Sequence, residues 1–210
     1  MHSYDLIVTL TVIILVIIFI YLFAKREERR NKKRYTFNPY KLNIKRLDQL
    51  DGRQFELYLY VLLNELGYSD VNLTAESRDF GADLIFTDSK GVRNVIQAKR
   101  QAPDNLVGIS AIQEIYTSMK YYQAKKAIVL TTSTFTKTSE KLAAVNGVLL
   151  INRNDLHTLI EELKKGNRFR ARKILESEPY VISEPWVGYK DMNPVIKKGY
   201  TVEVPEKEAL

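Results

Sequence analysis

The sequence predicts an α/β domain, a mixed β-sheet flanked by helices, preceded by a single transmembrane helix. Two observations lead to this fold class. The stretch from Leu6 to Ala24 is predominantly apolar and contains no charged side chain. After it, apolar patterns with helical and strand periods follow in the order helix, three strands, helix, strand, helix, strand, helix. That order is typical of a sheet that begins with a hairpin and continues through helical crossovers, which leaves helices on both faces.

The uncharged stretch, residues 6–24, has the length of a membrane-spanning helix. At about 1.5 Å per residue it extends roughly 28 Å, against a hydrocarbon core of about 30 Å. A secretory signal would have a basic start and a small-residue cleavage site, but no Lys or Arg precedes this stretch and charged residues follow it at once. Since Lys and Arg accumulate on the C-terminal side, we predict a single-pass protein of the cell membrane, with the N-terminus outside and the remainder in the cytoplasm.

Residues 25–47 form a predicted basic juxtamembrane linker. Its first part, 25–34, holds seven basic and two acidic side chains. Such a run orients the helix and contacts membrane lipid, each cation contributing about 1 kcal/mol near an anionic leaflet. A DNA-binding arm is the alternative interpretation of the same run.

Charge and composition narrow the chemistry of the remaining chain. The net charge of +7 is concentrated in residues 25–34 and 164–176, because residues 35–163 hold 15 basic and 15 acidic side chains. Net charge is therefore weak support for nucleic-acid binding. The chain has no cysteine and only two histidines, His2 and His157, which share no motif. This excludes thiolate metal sites and disfavours His-based catalysis, so the chemistry should rest on carboxylates, amides, lysines and an oxygen-binding cation.

The domain proper is predicted to cover residues 48–163. Its first helix follows Asp51-Gly52, has apolar residues at three- and four-residue intervals, and ends at Gly67. A weak strand, 71–76, and a turn, 77–81, come next. The later elements are a hairpin of Ala82–Phe86 and Val92–Ala98, a helix at Leu106–Tyr122, a strand at Lys126–Leu130, a helix at Ser139–Val145, a strand at Val148–Ile151 and a helix at Asp155–Lys164.

The hairpin predicts a cluster of polar side chains. If its strands pair around Lys90, Asp83 lies opposite Gln97. Gln97 and Lys99 are two positions apart and project from the same face of their strand, and Ala98 offers a carbonyl beside them. One face of the hairpin then carries a carboxylate, an amide oxygen and an ammonium, a combination that suits Mg²⁺.

These residues carry a family resemblance. The run Asp79-Phe80-Gly81-Ala82-Asp83, followed on the second hairpin strand by Gln97-Ala98-Lys99, resembles the core motif of Mrr-like type IV restriction endonucleases of the PD-(D/E)XK nuclease superfamily. The helix with Phe55-Glu56 and the strand Val129-Leu130-Thr131-Thr132 are also similar to that family. The match covers about residues 48–163 and implies a restriction-endonuclease-like fold.

The resemblance implies an endodeoxyribonuclease that hydrolyses phosphodiester bonds with Mg²⁺ or Mn²⁺, in DNA restriction or defence. Asp83 would be the main metal ligand, joined by Gln97 and the main-chain carbonyl of Ala98, with Glu56 adding a direct or indirect contact. Lys99 would orient or deprotonate the attacking water, or stabilise the pentavalent phosphate. The catalytic set is therefore Asp83, Gln97, Lys99 and Glu56.

Several alternatives stay open at this stage. Gln97 stands where the wider superfamily has Glu, so a catalytically weak nuclease fold that binds DNA or acts as a scaffold at the membrane is the competing hypothesis; retention of Asp83 and Lys99 favours the enzyme. Asp79 and Gln113 are additional candidates, although Asp79 equally suits a turn and Gln113 a solvated helix face. A homodimer with paired sites is also open.

Two C-terminal segments complete the chain. Residues 164–176 form a predicted basic helix extension, in which Phe169 lies among six basic side chains. Three interpretations stay open for it: binding to DNA, binding to the membrane, or exposure to solvent without a partner. The tail, 177–210, is rich in aromatics and proline, which favours packing on the domain or on a partner.

Overall fold

The computed structural model describes residues 12–23, 38–74 and 80–183. Residues 12–23 form helix α1, whose side chains are exposed. Within the described ranges, no helix combines the length and the apolar character needed to cross a membrane. Of the predicted anchor at 6–24, residues 6–11 and Ala24 lie outside the described residues, as does most of the basic linker, and the anchor stays a prediction.

Eleven further elements build the domain: α2 (Ile44–Leu47), α3 (Gly52–Glu65), β1 (Ser69–Leu73), β2 (Leu84–Thr87), β3 (Arg93–Lys99), α4 (Ser110–Tyr121), β4 (Lys126–Thr131), α5 (Lys137–Asn146), β5 (Val148–Ile151), α6 (Arg153–Lys164) and α7 (Arg168–Leu175). The strands form one sheet in the order β1-β2-β3-β4-β5. The first three are antiparallel neighbours, and β3, β4 and β5 are parallel. The predicted mixed sheet flanked by helices is confirmed.

The hairpin of β2 and β3 has the predicted register. Leu84 pairs with Ile96, and Thr87 with Arg93, so the strands are centred on Lys90. The Asp88 carboxylate accepts hydrogen bonds from the backbone N–H groups of Lys90 and Val92, both at 2.9 Å. This side-chain bonding closes the turn and fixes which residues of the two strands face each other.

The start of α4 differs from the prediction. The sequence predicts a helix from Leu106, but the helix begins at Ser110. Val107 instead forms a parallel bridge with Phe135: its N–H donates to the carbonyl of Thr134, and its carbonyl accepts from the N–H of Thr136. The backbone groups of Val107 are therefore bonded to a segment that lies far away in sequence.

Two apolar layers cover the sheet. Helices α3, α6 and α7 pack with Leu84, Phe86 and Ile96 on one face, while α4 and α5 pack with Val95 and Val129 on the other. Strand residues alternate between faces, so Gln97 and Lys99 share the α4 face with Val95. The candidate site accordingly lies on the side of the sheet that α4 covers.

The basic extension is largely a structural helix. In α7, Ala171 and Leu175 are buried in the core. The guanidinium Nε of Arg172 donates to the carbonyl of Leu66 at 2.7 Å, Arg168 pairs with Glu65 at 3.7 Å, and Arg170 approaches Glu162 at 4.0 Å. Much of the positive charge of residues 164–176 is thus used within the domain.

The beginning of the tail lies along the edge of the domain. Lys126 pairs with Glu178 at 2.6 Å, and the N–H of Ile182 donates to the carbonyl of Ala144 at 2.9 Å. Packing on the domain, which the sequence predicts for the tail, is therefore observed for this first part. Residues 184–210 lie outside the described residues.

Candidate active site

A buried carboxylate is fixed at the start of β2. Oδ2 of Asp83 accepts hydrogen bonds from Nε2 of Gln97 and from the backbone N–H of Ala98, both at 2.6 Å. Asp83 is 6% exposed and Gln97 5% exposed. β2 starts at Leu84, so Asp83 lies just before the first paired residue of that strand. There its side chain, and not its main chain, accepts the hydrogen bond from the backbone N–H of Ala98 in β3. The structure thus brings together the predicted pair on opposite strands of the hairpin.

The Ala98 carbonyl is directed toward the same place. In a strand, the N–H and C=O of one residue point to the same side. The N–H of Ala98 points to Asp83, as does the carbonyl of Ile96, which accepts from the Asp83 N–H at 2.8 Å. The Ala98 carbonyl therefore lies on the Asp83 side of β3, as the predicted metal site requires.

Lys99 is held by a residue that the sequence did not single out. Its Nζ lies 2.9 Å from Oε2 of Glu114, in the middle of α4. The topology could have indicated Glu114, because the helix that follows β3 covers the strand face that carries Lys99. The additional candidate Gln113 is exposed, and its backbone carbonyl accepts a hydrogen bond from the Thr117 hydroxyl.

Gly81 brings the turn before Asp83 against α4. Its φ is +88°, and a Cβ at this position would lie 2.6 Å from the carbonyl oxygen of Glu114. Only glycine combines this left-handed backbone with so close an approach. Gly81 therefore fixes the distance between the segment that leads to Asp83 and the helix that holds Lys99.

Glu56 belongs to the other layer. It forms an ion pair with Arg53 at 2.7 Å on α3, whose apolar side packs on the face of the sheet opposite to that of Lys99. A contact of Glu56 with the Asp83 cluster stays a prediction. The candidate Asp79 lies outside the described residues.

Buried hydroxyls hold the end of β3. Oγ1 of Thr131 donates to the carbonyl of Lys99 at 2.7 Å, and Oγ1 of Thr132 donates to the carbonyl of Gln101, also at 2.7 Å. Both threonines are fully buried. Thr131 is the last residue of β4, and Thr136 caps α5 by accepting from the N–H of Ser139. The hydroxyls thereby fix the main chain of the candidate catalytic lysine.

The cluster contains few charged metal ligands. In the parts of the chain that the structure describes, no group of three or more His, Cys, Asp or Glu side chains is placed to hold a metal ion. A cation here would depend on one carboxylate, Asp83, together with neutral oxygens of Gln97 and Ala98. Hard cations such as Mg²⁺ accept such mixed oxygen donors and retain several waters.

A mixed sheet whose hairpin carries a buried carboxylate, an amide and a lysine on one face is a restriction-endonuclease-like domain. The chain belongs to the Mrr_cat family, described as restriction endonuclease: the family model matches residues 47–160, more than half of the chain. This establishes the family that the motif resembled.

Individual proteins are similar to parts of the chain. The type IV methyl-directed restriction enzyme EcoKMrr of Escherichia coli (strain K12) is 30% identical over 138 residues, which is 62% of this chain and 45% of that enzyme. The restriction endonuclease AspBHI has a TM-score of 0.44 at 20% identity, covering 68% of this chain and 41% of its own. MspJI, solved with a 27-mer oligonucleotide, has a TM-score of 0.45 at 19% identity, covering 65% and 35%. The chain thus spans less than half the length of each.

Proposed function

We propose that the chain is an endonuclease that hydrolyses phosphodiester bonds in DNA with Mg²⁺ or Mn²⁺ and serves DNA restriction or defence. The observation that carries the proposal is the pair of hydrogen bonds from Gln97 and Ala98 to Oδ2 of Asp83, which gathers three oxygen-bearing groups beside Lys99. Family membership supports the same chemistry. Methyl-directed recognition is a property of the Escherichia coli relative; our proposal concerns cleavage.

The donor set fits a hard divalent cation. Asp83 would supply the charged ligand, and the amide oxygen of Gln97 and the carbonyl of Ala98 would supply neutral ones, because Gln97 already uses its Nε2 to bind Asp83. Glu56 would assist from α3. A cation bound there would polarise a phosphate oxygen and lower the pKa of a bound water.

The protein's own part is preorganisation. Two hydrogen-bond donors fix the orientation of the Asp83 carboxylate, so the side chain is already ordered before the substrate binds. As an ammonium, Lys99 would orient the attacking water or donate a hydrogen bond to the phosphate oxygen that gains charge. Its ion pair with Glu114 sets the place of the ammonium, so we assign Glu114 a positioning role.

We also propose, from the sequence alone, that residues 6–24 attach the domain to the cell membrane, with the domain in the cytoplasm and the basic linker on anionic lipid. The support is the absence of charge throughout this stretch and the Lys and Arg excess that follows. A reporter fused after Leu210 should behave as cytoplasmic, and protease outside intact cells should spare the domain. Recovery of the domain in the medium or periplasm would reject the anchor.

The nuclease proposal is tested with the purified full chain and supercoiled plasmid DNA. We expect nicked and linear products with Mg²⁺ or Mn²⁺, and none with EDTA. Re-addition of the cation in excess should restore cutting, which separates metal dependence from chelator damage. A chain that binds DNA but stays inert with all divalent cations would favour the scaffold alternative.

A further inference from the structure

An exposed aromatic pair lies beside the candidate active site. The rings of Phe80 and Tyr121 are in contact, with centroids 4.1 Å apart and planes inclined by 31°. Tyr121 also contacts Tyr122 edge to face, with centroids 4.8 Å apart. Phe80 is 54% exposed and Tyr121 61% exposed, so both rings keep much of their surface open to water.

The backbone of Phe80 is strained. Its φ is +46°, a left-handed conformation that costs roughly 1–2 kcal/mol for a residue with a Cβ. The other described non-glycine residues with positive φ are Asp70 and Gln123. Gln123 follows the end of α4, and Asp70 lies at the register shift of β1, so each has an ordinary local cause. At Phe80 a bulky ring is held in a costly turn next to the site, where such strain often serves binding.

The pair is close to the catalytic cluster. Phe80 lies three positions before Asp83, so their Cα atoms are at most about 11 Å apart. Between them, Gly81 packs on Glu114, the partner of Lys99. Tyr121 follows Glu114 by two helical turns, about 10 Å along the helix. Since nucleotides of one strand repeat about every 3.4 Å, a base on the pair would be within a few nucleotides of the cleaved bond.

A pocket of mixed polar and apolar lining adjoins Tyr121. It has a volume of about 280 Å³ and is lined also by Asp70, Asn72, Ile85, Arg93, Tyr122 and Gln123. The Arg93 guanidinium already donates to the carbonyl of Tyr122 at 3.2 Å, which orients it there. Amide and guanidinium groups next to an aromatic ring are the groups that proteins use to hydrogen-bond the edge of a base stacked on the ring.

We propose that Phe80 and Tyr121 form a stacking platform for an unpaired base of the DNA strand close to the cleaved bond, with the adjoining pocket receiving the edge of that base. The inference rests on the proposed nuclease function. An aromatic platform binds any base through its π-face, but only when the base has left the duplex stack. The platform would therefore act on a base that is unpaired near the cleaved bond.

Binding of fluorescein-labelled oligothymidine to the full chain in EDTA, followed by anisotropy, tests the platform without cleavage. Tyr121→Ala and Phe80→Asn should each weaken binding about fivefold or more, the lower end of what a base–aromatic stack contributes. Asn adopts the left-handed backbone readily, so Phe80→Asn removes the ring while keeping the turn. Tyr121→Phe should bind as the wild type does, and affinity for a blunt duplex should not change in any variant.

Tyr180→Ala is the matched control, because Tyr180 is 79% exposed and lies in the first part of the tail, beside α5. Its affinity should equal that of the wild type. Unchanged oligothymidine affinity in both platform variants, or an equal loss in Tyr180→Ala, would overturn the inference. Platform-dependent binding by a chain that cuts no DNA would reject the nuclease and keep the platform. Normal cutting with affinity untouched by either substitution would reject the platform and keep the nuclease.

Discussion

Nε2 of Gln97 lies 2.6 Å from Oδ2 of Asp83, so the amide is bonded to the carboxylate that it is expected to assist. This contact explains why an amide suits position 97 better than a carboxylate while no cation is bound. A carboxylate at position 97 would place two negative groups in hydrogen-bond contact inside a buried site, which is unfavourable unless a proton or a cation lies between them. Gln97 therefore lets the site stay ordered before a cation binds.

The first prediction follows from that contact. Gln97→Glu should lower the unfolding temperature in EDTA, and Mg²⁺ should raise it more in the variant than in the wild type, because the added charge binds the cation. Scanning fluorimetry with and without Mg²⁺ measures both effects. Gln97→Met, which keeps the length and removes both polar atoms, is the control and should show less Mg²⁺ stabilisation than the wild type. An equal Mg²⁺ response in Gln97→Glu would place residue 97 away from the metal.

The second prediction concerns the positioning of Lys99. Glu114→Gln keeps the shape of the side chain and removes its charge. A partly exposed ion pair contributes about 0.2–1 kcal/mol, so kcat for plasmid cleavage should fall by no more than about fivefold, with KM unchanged. Glu140→Gln, at an exposed glutamate of α5, should leave kcat unchanged. A loss in Glu114→Gln as large as that in Lys99→Ala would make Glu114 a catalytic group and not a positioning one.

The third prediction separates backbone strain from steric clash. Gly81 and Gly91 both have positive φ, at +88° and +76°, but only at Gly81 would a Cβ meet neighbouring backbone. Gly91→Ala should cost roughly 1–2 kcal/mol of folding free energy and keep activity. Gly81→Ala should cost more, and it should reduce cleavage because the segment leading to Asp83 is displaced. Urea denaturation and plasmid cleavage give the two readouts; similar losses in both variants would remove the special role of the close approach.

The fourth prediction concerns a buried phenol. Among the described residues, no hydrogen-bond partner lies near the hydroxyl of Tyr58, which is fully buried. Burial, with the Glu161 carboxylate adding to it, raises the pKa of Tyr58 above its usual range. Tyr58→Phe should stabilise the fold by about 1 kcal/mol at pH 7, because an unsatisfied buried hydroxyl is removed.

The raised pKa of Tyr58 makes the free energy of unfolding depend on pH. An unfolded tyrosine ionises near pH 10, whereas folded Tyr58 keeps its proton, so the wild type loses stability as pH rises above about 10. Tyr58→Phe should lose less over that range, and Tyr60→Phe, at a partly exposed position, should behave as the wild type does. Urea unfolding at neutral and alkaline pH measures these differences. Lower stability of Tyr58→Phe at pH 7 would indicate that the hydroxyl is satisfied.

The hairpin that carries the site could be predicted from the sequence because its determinants are local. A turn at Asp88–Gly91 and two short apolar runs fix the register, and strand alternation then decides that Gln97 and Lys99 share a face. The order of helices and strands from α3 to α6 could be predicted as well, because each element has its own apolar pattern. The membrane helix and the metal were predicted from the same sequence, and they stay predictions.

The contacts that sequence reasoning missed join distant segments. Glu114 lies on a different element from Lys99 and reaches it only because α4 folds back over β3. The approach of Gly81 to the Glu114 carbonyl and the late start of α4 at Ser110 have the same origin. The spacing of apolar residues indicates which face of a helix is buried. It does not indicate which polar residue contacts a given partner on another element.

The central claim is tested most directly by the rate of Mg²⁺-dependent plasmid cleavage of Asp83→Ala relative to the wild type, with circular dichroism to show that both are folded. The account predicts a fall of at least about a hundredfold, as expected for removal of a preorganised charged group at a reacting phosphate. Lys99→Ala should lose cleavage too but keep the Mg²⁺ stabilisation that Asp83→Ala loses. Cleavage at the wild-type rate by folded Asp83→Ala would contradict the account.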